Sequence, residues 1–253
     1  MLVFDSVRIL SENNHVRVEL ARANGKFVVI KRLKSHSPFM LERLQREALV
    51  LEKLEHEHIV PLIAAKGDMI VYAYAPGVNL ADALDAGALP LRRSIKIVDD
   101  VLKALSYAHT KGVIHCDVKP GNIIVKGEKA LLGDFGFAKD LELTSITQED
   151  VMLGTPNYMA PEQFRGERDD LRSDIYAVGA VLYHLLTGQP PYGRHIIRFL
   201  IGDHSVALEP LPQQFSEVAQ VVYRALDRNP DRRYRSADEM RFALKAALAP
   251  IHS

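Results

Sequence analysis

The chain has a single cysteine, Cys116, among its 253 residues, which excludes an internal disulfide and a metal cage of several thiolates, and suits a reducing compartment. No charge of one sign is in excess, since 32 Lys and Arg meet 32 Asp and Glu. A broad basic field for nucleic acid or anionic lipid is therefore missing, and any affinity for phosphate has to be local. Long apolar runs are missing too. The longest lies around residues 175–186 and is broken by His184, well short of the roughly 18 residues a membrane span needs. The opening MLVFDSVRILSENN shows no basic start followed by an apolar stretch. The expectation is a soluble, unprocessed, cytoplasmic protein with no membrane or nucleic-acid partner. What is present is a globular composition, 47% apolar and 25% charged, which excludes a disordered or fibrous chain and predicts one large domain or two lobes.

The hydrophobic period changes along the chain. Residues 16–20 and 26–33 are short β-branched runs around Asn24-Gly25, two residues that tolerate positive φ, so a hairpin is predicted over 16–33. From 38 to 56 the period becomes 3.6, and 59–63 with 69–73 then form a second predicted hairpin, turned at Lys66, Gly67 and Asp68. Past Ala75-Pro76-Gly77 the pattern is mostly helical. Helices are predicted over 94–110, stopped by Gly112, over 173–187, apolar on nearly every face and so buried, over 216–228, and over 236–248, opened by Ser236 and Glu239 in capping-box spacing. The expected fold class is α+β, with a sheet-plus-one-helix half over 1–75 and a helical half over 76–253.

One charge breaks the pattern of the first helix. Met40, Leu44, Glu47, Leu51 and Leu54 form one stripe, so Glu47 lies where an apolar residue is expected. Burying it unpaired would cost several kcal/mol, and a cation is at hand in Lys31, at the end of the apolar run Phe27-Val28-Val29-Ile30. The alternative is a helix that starts a turn differently and leaves Glu47 solvated. A second feature is the short hairpin of 123–125 with 130–132, joined by Lys126-Gly127-Glu128-Lys129. Pairing about its centre brings Asn122 near Asp134, two hard oxygen donors of the kind Mg²⁺ takes beside substrate phosphates, and Asp117 lies five residues before Asn122. Asp and Asn are also common turn formers.

At this point the residues resemble a known family. His115-Cys116-Asp117-Val118-Lys119-Pro120-Gly121-Asn122, then Asp134-Phe135-Gly136, then Gly154-Thr155-Pro156-Asn157-Tyr158-Met159-Ala160-Pro161-Glu162 are similar to the catalytic loop, magnesium loop and activation-segment end of eukaryotic-like (Hanks-type) serine/threonine protein kinases. The likeness extends to Lys31 with Glu47, to Ser173-Asp174 and to Arg233. It implies a bilobal kinase-like fold and transfer of the γ-phosphate of ATP to Ser or Thr of a protein substrate. It further implies that Lys31 holds the α- and β-phosphates and pairs with Glu47, that Asp117 accepts the acceptor's proton, and that Asn122 and Asp134 hold magnesium. Lys119 would be an extra cation near the transferred phosphate, favouring Ser/Thr together with Gly154-Thr155. Glu162 and Arg233 would form a structural ion pair. Ala73-Tyr74-Ala75 would be the hinge whose backbone meets adenine, behind Tyr72.

Several positions depart from the family. The loop over the phosphates falls at Ser11-Glu12-Asn13-Asn14-His15-Val16, with no glycine. Ser11, Asn13 and Val16 therefore predict a loop that sits higher or binds through other groups, Asn13 and Asn14 could turn at positive φ, and Glu12 adds a negative charge. Cys116 stands where many members carry an arginine that pairs with a phosphorylated activation loop, so a switch that depends on a phosphate neutralised at this position is not expected, although Thr144, Ser145 and Thr147 lie in a loop open to modification; activity is then either constitutive or controlled by a regulatory protein. Cys116 itself reads as an inert, partly buried thiol. Residues 137–153 are polar and aperiodic, as a functional loop would be. Besides an active kinase, the glycine-free loop leaves room for a pseudokinase acting as a binding module. A small-molecule phosphotransferase is disfavoured by Ala160-Pro161-Glu162 and Gly154-Thr155.

Overall fold

The computed structural model describes residues 4–35, 37–140 and 156–248. It opens with strands β1 (Phe4–Glu12), β2 (Val16–Ala23) and β3 (Lys26–Leu33), followed by helix α1 (Pro38–Glu52) and strands β4 (Leu62–Lys66) and β5 (Met69–Ala73). Asn24 (φ 49°) and Gly25 (φ 77°) turn the first hairpin in the left-handed region, as their side chains allow. β1 carries no readable alternation because it is an edge strand exposed along nearly its whole length. Ser37 caps α1 by accepting from Met40 N, and Pro38 fills the first turn. The helix stops at Glu52 rather than at residue 56, where Lys53 N and Leu54 N bond to Val50 O and Leu51 O in tighter turns.

β4 also begins later than the pattern predicts. Residues just before it are bonded to the other half instead, with Leu132 N donating to His58 O (2.8 Å) and Val60 N to Leu132 O (2.9 Å), while Pro61 has no N–H to give. The five strands form an antiparallel sheet in the order β1-β2-β3-β5-β4. Ala21, Ala23, Val28, Ile30 and Val71 pack on one of its faces. The other face meets α1 and belongs to the large core that continues into the helical half.

The chain crosses between the halves through residues 74–77. Gly77 is required there, since a Cβ would lie 2.5 Å from Val125 O. Then come β6 (Val78–Asn79), α2 (Leu80–Leu84), α3 (Leu91–Thr110), β7 (Val113–Ile114), β8 (Ile123–Lys126), β9 (Lys129–Leu132) and β10 (Lys139–Asp140). They are followed by α4 (Pro161–Phe164), α5 (Arg172–Thr187), α6 (Ile196–Leu200), α7 (Ser216–Ala225) and α8 (Ala237–Ala247). α3 starts three residues earlier than the periodicity indicates, behind Pro90, and α7 ends at Ala225 rather than 228. α5 is buried along nearly its whole length and closes on Gly188 at φ 74°. Ser236 accepts from Glu239 N, but Glu239 reaches back to Arg235 N, one residue before the partner a capping box would give it.

A buried pair ties this half together. Both terminal nitrogens of the Arg233 guanidinium donate to Glu162, Nη1 to Oε1 (2.5 Å) and Nη2 to Oε2 (2.8 Å), and Nε donates to Asp227 O. Arg233 is 1% exposed, so its loss would leave Glu162 charged and enclosed. Arg233→Met is expected to lower unfolding stability by about 3–5 kcal/mol in urea titrations; a change below about 1 kcal/mol would contradict a structural role.

Candidate active site

The short β8–β9 hairpin does what its sequence suggests. Ile123 pairs with Leu132 and Lys126 with Lys129, and Gly133 N donates to Asn122 O at 2.8 Å. Asn122 and Asp134 thus leave the same end of the hairpin, and both line a cavity of about 520 Å³ between the two halves. The loop before the hairpin is held from beneath by α5. Asp174, buried at the start of that helix, accepts from His115 N and Cys116 N, both at 2.9 Å, and lies 2.9 Å from His109 Nε2. Gln163 Nε2 adds a bond to Cys116 O. So held, Cys116 adopts φ 64°, a strained value for a residue with a Cβ.

This bend delivers Asp117. Its Oδ2 receives Lys119 Nζ at 2.7 Å and Asn122 Nδ2 at 3.0 Å. Asn122 Nδ2 also donates to Asp117 O, which aims its Oδ1 away from Asp117. Asp134 is likewise strained, at φ 55°. Behind it Phe135 is buried and packs against the His115 ring, whose Nε2 lies 3.1 Å from Gly133 O.

Lys31 reaches into the same cavity from β3. Its Nζ is 2.7 Å from Glu47 Oε2 and 2.9 Å from Asp134 Oδ1. Burial opposes charge on all three groups. For Lys31 the two carboxylates outweigh burial and hold the ammonium above its usual range, and for Asp134 the lysine outweighs it and holds the acid well below. Glu47 is shifted up, because burial exceeds the pull of Lys31. Gly136 passes so close that a Cβ would lie 3.0 Å from both Asp134 Oδ1 and Glu47 Oε2.

The loop over the cavity differs from its expected form. Asn13 does not use positive φ. Its side-chain Oδ1 accepts from His15 N and Val16 N, both at 2.8 Å, and makes the turn itself. Ser11 lines the cavity, whereas Asn13 and Val16 do not; Val18 and Arg8 do. Glu12 is paired with Arg17 (2.8 Å) and Lys34 (3.0 Å), so its charge is neutralised on the spot. Ala73 and Ala75 also line the cavity, with Ala73 N donating to Pro61 O. Cys116 is buried and its thiol is pushed up to about 12, mainly by burial, which leaves it un-ionised. The predicted loop over 137–153 is not irregular from its start, since β10 pairs with β7. Gly154, Thr155, Thr144, Ser145 and Thr147 lie outside the described residues.

Sequence patterns missed several groups. Arg43 on α1 donates from Nε to Gly136 O (3.0 Å) and stacks its guanidinium 3.6 Å from the Phe137 ring centre. Asn79 and Asp82 both line the cavity, and Asn79 Nδ2 donates to Gly121 O. All are polar residues at ordinary surface positions of their elements, so nothing in the periodicity marks them.

Comparisons with known proteins agree with this architecture. The family model for the protein kinase domain matches residues 12–242. The serine/threonine-protein kinase PknB of Mycolicibacterium smegmatis is 38% identical over 243 residues, covering 86% of this chain and 37% of that protein. PknB of Mycobacterium tuberculosis is 34% identical over 244 residues, covering 87% and 37%, and pkn2 of Myxococcus xanthus is 34% identical over 231 residues, covering 84% and 28%. The chain thus spans about a third of the length of these relatives. With the match running through the sheet, the cavity and the helical half alike, the chain belongs to the protein kinase domain family.

Proposed function

We propose that the chain is an ATP-dependent serine/threonine protein kinase. The observation that carries this reading is the convergence of Lys31, Asn122 and Asp134 on one cavity, with Asp117, which does not itself line that cavity, bonded to Asn122. Lys31 would hold the α- and β-phosphates, kept in place by Glu47. Asp117, with Lys119 and Asn122 fixing one carboxylate oxygen, would orient the acceptor hydroxyl and take its proton. Lys119 would then face the transferred phosphate. Ala73 and Ala75 would meet the adenine, and Ser11 would cover the phosphates.

The donor set fits magnesium. Asp134 is half exposed toward the cavity, and Asn122 presents an amide oxygen not used on Asp117, so two hard oxygens face the same space. Asn122 and Asp134 would hold the ion, which supplies charge neutralisation on the phosphate oxygens. The substrate would be a Ser or Thr of a protein. Cytoplasmic action and control by a regulatory protein belong to the same proposal; no helix among the described residues is long and apolar enough to cross a membrane.

The glycine-free loop favours one other reading, a pseudokinase that binds partners without transferring phosphate. Incubating the purified chain with γ-labelled ATP, Mg²⁺ and a generic protein acceptor separates the two. Label on Ser or Thr, lost when EDTA removes the metal, is the expected result. Absence of transfer would leave the binding module, and label on Tyr alone would contradict the acceptor class.

A further inference from the structure

β5 brings a third group to the Lys31–Glu47 pair. Directly opposed residues of an antiparallel sheet share a face. Val29 stands opposite Tyr72 and Lys31 opposite Ile70, so Tyr72 and Lys31 point to the same side, toward α1. There the Tyr72 hydroxyl donates to Glu47 Oε1 while Lys31 Nζ holds Oε2 at 2.7 Å. Glu47 is 2% exposed and Tyr72 7%. Each oxygen of the carboxylate therefore has its own donor, and the two donors come from neighbouring strands. Rotation of the carboxylate about its last bond is thereby blocked. With the hydroxyl gone, Oε1 would be buried without its donor, and Glu47 would either turn on Lys31 or draw α1 away from the sheet.

We propose that Tyr72 is a positioning residue for phosphate transfer, its hydroxyl fixing the orientation of Glu47 so that Lys31 stays aimed into the cavity and α1 stays seated on the sheet before nucleotide arrives. This rests on the kinase reading above and adds to it a residue that acts through Glu47. Tyr72 also lines the cavity, and for that reason the informative substitution is Tyr72→Phe, which keeps the ring and removes only the hydroxyl.

Tyr72→Phe should lower kcat about tenfold while KM for ATP moves by less than about twofold. Introduced on Glu47→Gln, where the target carboxylate is already altered, the same change should cost less than about twofold. A merely structural tyrosine would lower the melting temperature and leave kcat intact wherever both proteins are folded. Full activity of Tyr72→Phe, or an equal loss in both backgrounds, overturns the proposal. If the native chain transfers no phosphate, the kinase reading fails, and hydrogen exchange then decides the present one. Without nucleotide, the amides of α1 should exchange faster in Tyr72→Phe than in the native chain, and equal rates overturn it.

Discussion

Replacing Asp117 by Asn is expected to lower phosphate transfer by about 10³-fold while leaving ATP affinity within about threefold. The carboxylate sits between Lys119 Nζ and Asn122 Nδ2, both donors, and both are directed at Oδ2. An amide at this position can satisfy them with its oxygen, so the fold of the loop survives. What then faces the acceptor is an NH₂ group, which cannot take a proton. The contacts that hold nucleotide in the proposal come from other residues, and this separates the loss of turnover from any loss of binding. Radiolabel transfer and nucleotide titration on the same preparation check both halves. Transfer equal to that of the native chain would remove Asp117 from the chemistry.

The second large effect is expected at Lys31. Lys31→Met should reduce transfer at least about 10²-fold, because the cation proposed to hold the phosphates disappears. It should also destabilise the chain by a few kcal/mol, since Glu47 then lies buried with only the Tyr72 hydroxyl. The pH dependence has a definite sign. Glu47 is already shifted up by burial, and losing Lys31 moves it further the same way. A carboxyl whose folded pKa exceeds its unfolded one contributes stability below the unfolded value and loses it as pH rises through the folded one. The deficit of Lys31→Met relative to the native chain should therefore be larger on the alkaline side and shrink on acidification in denaturant titrations. A deficit that grows on acidification would contradict the burial of Glu47.

Lys31 and Glu47 were legible in the sequence because each violates the periodicity of its own element, and a charge among apolar neighbours demands a partner. Asn122 and Asp134 were legible for a different reason: a four-residue turn fixes which ends of a hairpin meet. In both cases the geometry is local, the chain between the groups short and the choices few. The features that escaped depend on long-range placement. β1 shows no alternation because one edge strand has too little to bury. The Tyr72 hydroxyl reads as an ordinary core aromatic until α1 is docked on the sheet. Asp174 looks like a helix-start acid, yet it spans to the backbone of His115 and Cys116, 59 and 58 residues away. The turn at Asn13 is made by a side chain, which a φ-based reading of Asn13-Asn14 does not anticipate. Glu12 carries no net field because Arg17, from the next strand, and Lys34, just past the end of β3, close on it.

In the proposed function one cavity receives a magnesium nucleotide through Lys31, Asn122 and Asp134. Isothermal titration of ATP into the native chain, with and without Mg²⁺, tests that most directly. One equivalent of ATP taken up, more tightly with the metal than without it, is the predicted result. No heat of binding up to millimolar ATP with Mg²⁺ present would contradict the account and leave a kinase-like fold without its nucleotide.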